Sequence, residues 1–445
     1  MRKIVIELIV VFGTIFPLFA RSMSNFKHIG VKEGLGNGFI VDATIDRQGF
    51  VWAATEAGVS RISGNFVTEF TKGNSAIGSN GIVCLYYYPN KNQVWMGTKQ
   101  SGIHIYDCNS GSFSHLTTAD GLLGMDIADI SSAPNGGIWI LHRNKGIQNY
   151  KSDTKQFENL SNELCAQLSS QSRVCVDDGL GHLYVGHFGG GLSVIDLNKK
   201  KITRYSHNTQ NRNSLPSDYV RAVLIDSQRN IWVGTNDGVA MLNPVSKEMK
   251  IVDKGKMAGN NIHDIMETAD GKIWFASDLG GITILDWKAN VGRNPDDAVF
   301  TQLTVNDSPL SSPNVRKINE DTFGNIWIAH YSTGFDVIPA RSEPFNIVSF
   351  KNANGHYQRV YGLTADCQNN IWFGGENILA KYSDGSVQNI WSLNPLLDGK
   401  ESIIYAIHPD RKGNLWLGIN DVGVIASSDE MMPLLYEYSE FSVPI

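Results

Sequence analysis

Short apolar runs closed by a polar turn and answered by a second apolar run recur along the whole chain. The clearest first run is Val220-Arg221-Ala222-Val223-Leu224-Ile225, and its answering run opens Trp232-Val233-Gly234-Thr235. A glycine-containing loop then leads to a third run, Gly238-Val239-Ala240-Met241-Leu242. A fourth follows the same plan elsewhere, as in Lys201-Ile202-Thr203-Arg204-Tyr205. No stretch sustains 3.6-residue periodicity, so each unit predicts a four-stranded antiparallel meander.

The unit repeats. Its marker aromatic stands at Trp52, Trp95, Trp139, Tyr184, Trp232, Trp274, Trp327, Trp372 and Trp416, and only Trp287 and Trp391 fall outside the series. Successive markers are 42 to 53 residues apart, the length of one four-stranded propeller blade. Six positions before the marker stands Asp46, Asp178, Asp226, Asp321, Asp366 or Asp410, and three before it a glycine or asparagine in most repeats. That pairing is turn chemistry: the carboxylate bonds the turn backbone, and Gly or Asn accepts a positive φ. The expected fold is therefore an all-β propeller, with each marker packed between adjacent sheets.

Composition narrows the class without changing the fold. Over 445 residues, hydrophobic types make up 42% and charged types 18%, which is globular. The net charge of −6 offers no basic excess for nucleic acid. Five cysteines (Cys84, Cys108, Cys165, Cys175, Cys367) lack metal-type spacing and include no CxxC pair. Cys84 and Cys175 sit in apolar strands as buried thiols. At the N-terminus, Arg2 and Lys3 precede a short apolar run from Leu8 to Leu18, with Ala20 as the cleavage position. Residues 1–20 read as an export signal, since the run is shorter than the ~20 residues a membrane anchor needs.

The Asp-x-x-Gly-x-hydrophobic-Trp-hydrophobic-Gly-Thr pattern, followed by a Gly-hydrophobic strand, resembles the two-component-regulator propeller repeat. Gly34-Leu35-Gly36 and Asn213-Ser214-Leu215-Pro216-Ser217 are similar to that family's inter-blade loops. The resemblance covers roughly residues 25 to 425. It implies the periplasmic sensor half of a Bacteroidetes hybrid two-component system, in which two seven-bladed propellers precede a β-sandwich, a membrane helix and a histidine kinase. Seven repeats run to about residue 343, after which Pro344-Phe345-Asn346-Ile347-Val348-Ser349-Phe350 echoes the opening Asn25-Phe26-Lys27-His28-Ile29-Gly30. The expected division is a signal peptide (1–20), a seven-bladed ring (21–343) and two blades of an incomplete second propeller (344–445). A single eight- or nine-bladed ring is the competing arrangement. No kinase, receiver or DNA-binding segment is read in the chain, so a truncated sensor and a free-standing secreted binder both stay open.

Two positional slots carry the ligand reading. Eleven residues before the markers stand Val41, Cys84, Ala128, Arg173, Arg221, His263, Arg316, Tyr361 and Tyr405, so blades four to seven present a basic arc. Three residues after the marker, Thr or Ser is replaced by His142, His187 and His330, with Tyr331 beside the last. His142 and His187 fall in neighbouring blades while His330 lies across the ring, which speaks against a three-histidine metal site. Either these residues line a sugar site, or the histidines bond to neighbouring blades and the arginines pair with blade aspartates. Clustered guanidiniums facing the channel suit carboxylate or sulfate, hence an acidic oligosaccharide ligand. The other expected partners are the remainder of a membrane-bound sensor kinase or a second copy.

Catalysis is the competing class. Asp42, Asp129 and Asp264 share a slot ten residues before the marker but are spread round the ring, too far apart for an evident acid/base pair. No nucleophile elbow, zinc-binding helix or phosphate loop is found, and no motif calls for a cofactor. A polysaccharide lyase or glycosidase and a protein-binding scaffold remain the alternatives to a sensor.

Overall fold

The computed structural model describes residues 26–340 and 359–427, apart from positions 65, 170, 212, 288–293, 367, 369, 384–385, 394–401 and 411–413. The export signal and the Pro344–Phe350 echo lie outside the described residues. The chain divides into two compact units, Met1–Ser342 and Glu343–Ile445.

The first unit holds seven antiparallel sheets of four strands. Their innermost strands are Ile40–Ile45, Ile82–Tyr88, Ile127–Ser132, Ser172–Asp177, Val220–Ile225, Asn261–Glu267 and Val315–Glu320. Each packs against the next and the last against the first, so the unit is a closed seven-bladed propeller. Blade seven takes strands from both ends of the unit: Lys27–Ile29 pairs with Phe335–Ile338, with His28 opposite Asp336. The His28 Nδ1 lies 2.9 Å from Asp336 Oδ1, adding a polar clasp to the closure. Closure of this kind gives blade seven its fourth, outermost strand.

The aspartate–tryptophan spacing has a cause beyond the turn. Asp46 Oδ1 accepts the backbone N–H groups of Gln48 and Phe50, while its Oδ2 accepts the Trp52 indole N–H at 2.9 Å. Asp226, Asp321, Asp366 and Asp410 do the same for Trp232, Trp327, Trp372 and Trp416 at 2.8, 3.0, 2.8 and 3.2 Å. One carboxylate thus closes the hairpin and satisfies the buried indole, which otherwise would carry an unpaired donor. Asp226 also accepts the indole of Trp287 from blade six, at 2.9 Å. Blade four has Tyr184 as its marker, and its Asp178 turns to His182 Nδ1 instead.

The inter-blade loops contribute a second repeated element. Leu35, Ile77, Leu122, Leu215, Met257 and Leu310 are all buried where successive blades meet, and blade four uses Leu164 of the short helix Asn162–Cys165. The second unit contains a four-stranded sheet (Gly362–Ala365, Ile371–Gly374, Ile378–Ser383, Ser386–Ser392) and a three-stranded one (Ile404–Pro409, Leu415–Ile419, Gly423–Ser427). The two share a core of Trp372, Leu379, Ile404, Leu417 and Ile425, with Trp391 stacked on Trp372.

Candidate functional site

Every blade of the first propeller carries a β-bulge at the entry of its innermost strand. The register slips by one residue, leaving Val41, Val83, Ala128, Arg173, Arg221, His263 and Arg316 without a partner on the second strand. A bulge bends the strand and re-aims the unpaired side chain. The count from the marker therefore identifies a structural position, with one correction. In blade two the bulged residue is Val83, not Cys84, because that blade's hairpin is one residue longer; Cys84 is buried in the wall.

A second tier of side chains sits beside the bulges, at the end of each second strand. Backbone N–H groups of Lys99, Arg143, Phe188, Asn236 and Tyr331 bond to carbonyls two residues before the bulge, which brings both tiers to one lip of the ring. On this lip Arg173 and Arg221 both lie over the Phe188 ring, with Cζ 5.4 and 5.3 Å from its centroid. Tyr219 of blade five meets Phe188 of blade four edge-on at 4.7 Å. Two blades on, Arg316 lies 4.6 Å from the Tyr331 ring and 5.6 Å from Phe39, and those rings are in edge contact at 4.4 Å. Four predicted residues, Arg173, Arg221, Arg316 and Tyr331, thus share one face. Of their aromatic partners, Phe188 directly follows the His187 slot, while Phe39 and Tyr219 stand two positions before a bulge and have no other signal in the sequence.

Carboxylates reach the arginines of this lip only at longer range, Asp126 acting on Arg173 and Asp278 on Arg221. Among the described residues, Arg173, Arg221 and Arg316 make no ion pair, and the buried Arg221 Nε has no hydrogen-bond partner. By contrast Arg143 is paired with Asp126 at 3.2 Å. Burial, aided by repulsion from neighbouring guanidiniums, lowers the pKa of Arg173 and of Arg221. His263 sits between Arg221 and Arg316. Burial first, then those two cations, push its pKa down to about 4, so the imidazole is neutral at pH 7. The basic arc is therefore three guanidiniums interrupted by a neutral ring, whose Nε2 is 3.8 Å from Asp278.

The three histidines do not join this face. His142, His187 and His330 are buried in the blades, and each Nε2 bonds to the third strand of its own blade. The partners are Gln148 at 2.8 Å, Ser193 at 2.9 Å and Asp336 at 2.8 Å. They occupy the place of Thr98, Thr235 and Ser277, whose hydroxyls donate to Gly102, Gly238 and Gly281 carbonyls. The expectation that they line a ligand site is corrected: a larger side chain reaches the next strand through an imidazole where a hydroxyl reaches the backbone.

The axial aspartates are equally committed. Asp42, Asp129 and Asp264 accept backbone N–H groups of the neighbouring blade, from Leu85, Cys175 and Ile318 at 2.7, 2.9 and 2.9 Å. Lys317 bonds Asp264 at 3.1 Å and approaches Asp42 at 3.9 Å. These contacts tie blades together along the axis. Lys317 acts on Asp129 only from a longer distance, with no ion pair among the described residues, and burial raises the Asp129 pKa to about 6. A cleft of about 720 Å3 lies away from the lip, between blades three and four beside Trp139 and Asp177. Blade three has Ala133 where the turn aspartate would be, so the Trp139 indole donates across to Asp177 at 2.7 Å.

Comparison with known proteins agrees with the repeat. Residues 214–237 and 256–278 match the model of the two component regulator propeller. Histidine kinase P4 of Formosa agariphila is 26% identical over 298 residues, covering 63% of this chain and 21% of the kinase. The extracellular domain of a hybrid two component system from B. thetaiotaomicron is 26% identical with a TM-score of 0.62, covering 92% of this chain and 54% of that one. The chain therefore spans about half of the solved sensor region and a fifth of the kinase. Virginiamycin B lyase from Staphylococcus aureus, 15% identical with a TM-score of 0.54 over 71% of this chain and 99% of the lyase, shares the fold alone. Two of its blade repeats thus match the two component regulator propeller, and its architecture is similar to that of an extracellular sensor domain.

Proposed function

We propose that the chain is the ligand-sensing part of an extracytoplasmic sensor and that its ligand is an acidic oligosaccharide held on the bulged lip of the first propeller. The observation that carries this reading is the set of three guanidiniums lying over aromatic rings and, among the described residues, engaged in no ion pair. Crowded, partly desolvated cations weaken the empty protein, and an anion repays that cost. A guanidinium held beside a ring rather than by a carboxylate retains N–H groups that can fork an incoming carboxylate or sulfate. The adjoining Phe188, Tyr331 and Tyr219 rings supply apolar faces for sugar C–H groups. Similarity to extracellular sensor domains and to a histidine kinase supports a sensing role, with the remainder of a membrane-bound kinase as the partner that carries the output. Among the described residues no helix is long and apolar enough to cross a membrane.

Isothermal titration of the chain with matched neutral and acidic oligosaccharides tests the reading. Binding confined to uronate-containing or sulfated fragments is expected. Binding of neutral sugars only would overturn it.

A further inference from the structure

We infer that the ligand carries two anionic groups separated by an uncharged, hydroxylated stretch, each anion anchored on its own arginine–aromatic station. The inference rests on the acidic-oligosaccharide reading and sharpens it. One station is Arg173 and Arg221 on Phe188, spanning blades four and five. The other is Arg316 on Tyr331 and Phe39, spanning blades seven and one. Blade six lies between them and, among the described residues, presents no Arg, Lys, Phe, Tyr or Trp at its bulge. At its bulge stands His263, with Asp278 beside it and Asn261 bonded to Asp278 at 3.3 Å.

The middle blade decides the pattern. A third anion placed over blade six would meet the Asp278 carboxylate, which Arg221 of the neighbouring blade attracts but no described lip residue of blade six offsets, since the His263 imidazole is uncharged at neutral pH. Like charges in close contact are selected against at a recognition surface. A hydroxyl suits the same place, because it can donate to Asp278 or to a neutral imidazole and accept from the Asn261 amide. The lip therefore reads anion, hydroxyl, anion. Saccharides in which acidic and neutral residues alternate match that order, while uniformly charged chains and those with a single terminal acid do not.

The test uses the whole chain and trigalacturonates of defined esterification: free acids at both ends with a methyl-esterified centre, a free acid at either end alone, and all three acids free. A parallel set carries sulfate esters on a neutral trisaccharide. In one of the two sets the charge–neutral–charge compound is expected to bind at least tenfold more tightly than either monoacid and more tightly than the triply charged one. Arg221→Gln and Arg316→Gln each bring its affinity down to the monoacid level, and each leaves one of the two monoacids unaffected. If monoanionic and dianionic compounds bind equally, or if Arg316→Gln changes nothing, the two-anchor arrangement fails while the acidic reading stands. If no acidic compound of either set binds, both fail together. Circular dichroism melting of each variant separates loss of binding from loss of folding.

Discussion

Arg221 of blade five lies with its guanidinium 5.3 Å from the ring centroid of Phe188 in blade four. The contact crosses a blade boundary, and Arg173 shares the same ring. Because both cations depend on one aromatic surface, Phe188 positions them without being charged itself. Each such contact is worth ~0.5–1 kcal/mol at a partly exposed site. Phe188→Leu is expected to weaken binding of an acidic oligosaccharide roughly fivefold, about 1 kcal/mol, while neutral-sugar binding stays unchanged. Calorimetric titration of the variant checks this.

Removing a cation from the lip should strengthen the empty protein. Arg221 has no ion pair among the described residues and is crowded by Arg316. Arg221→Gln is expected to raise the unfolding free energy by ~0.5–1 kcal/mol, the order gained by optimising surface charge, while lowering affinity for anions. A residue that merely supports the blade would show the opposite sign. Denaturant unfolding without ligand distinguishes the two.

The turn aspartates make unequal contributions. Asp226 accepts two indole N–H groups and two backbone N–H groups, so Asp226→Ala strands several buried donors at once. The expected loss is about 3 kcal/mol or more, at ~1–3 kcal/mol per unsatisfied buried group. Blade six shows the converse: Thr268 stands where the aspartate would be, and the buried Trp274 indole N–H has no partner among the described residues. Thr268→Asp is expected to stabilise by about 1 kcal/mol by restoring the acceptor. Denaturation midpoints of the two variants move in opposite directions if the pairing is as described.

The axis should show a pH signature. Burial holds the Asp129 pKa at about 6, above the 3.8 of a free carboxyl. Between those values the folded state binds more protons than the unfolded one, so the aspartate's contribution grows less favourable as pH rises from about 4 to about 6 and is constant above. Asp129→Asn keeps an acceptor for the Cys175 N–H and removes the charge. The variant is expected to melt higher than the wild type at pH 7.5, with the gain fading as pH falls below about 5. Melting curves across that range provide the check.

Much of this was legible in the sequence, and the reasons are physical. A carboxylate six residues before an indole is one hydrogen-bonded device, so its recurrence marked every blade that has both partners. Counting back eleven residues from the marker reached the bulge in six of the first seven blades, because hairpin length between those points is constant. It missed Val83 where the Asn90–Asn92 turn adds a residue. What counting could not supply were contacts across blade boundaries. Phe39 reaches Tyr331 only because the ring closes, and Asp129 reaches the Cys175 amide only because blades three and four adjoin. The histidines misled for a related reason: an imidazole in a slot otherwise filled by Thr or Ser looks like an added function. In fact each is spent on a hydrogen bond to the next strand of its own blade.

The central claim is that the arginine lip holds the anions of the ligand. Titrating the tightest-binding acidic oligosaccharide into the wild type and into an Arg221→Ala/Arg316→Ala variant tests it most directly. The account predicts a loss of at least a hundredfold, about 2.7 kcal/mol, with a weaker salt dependence in what remains. Undiminished binding by a folded variant would contradict it.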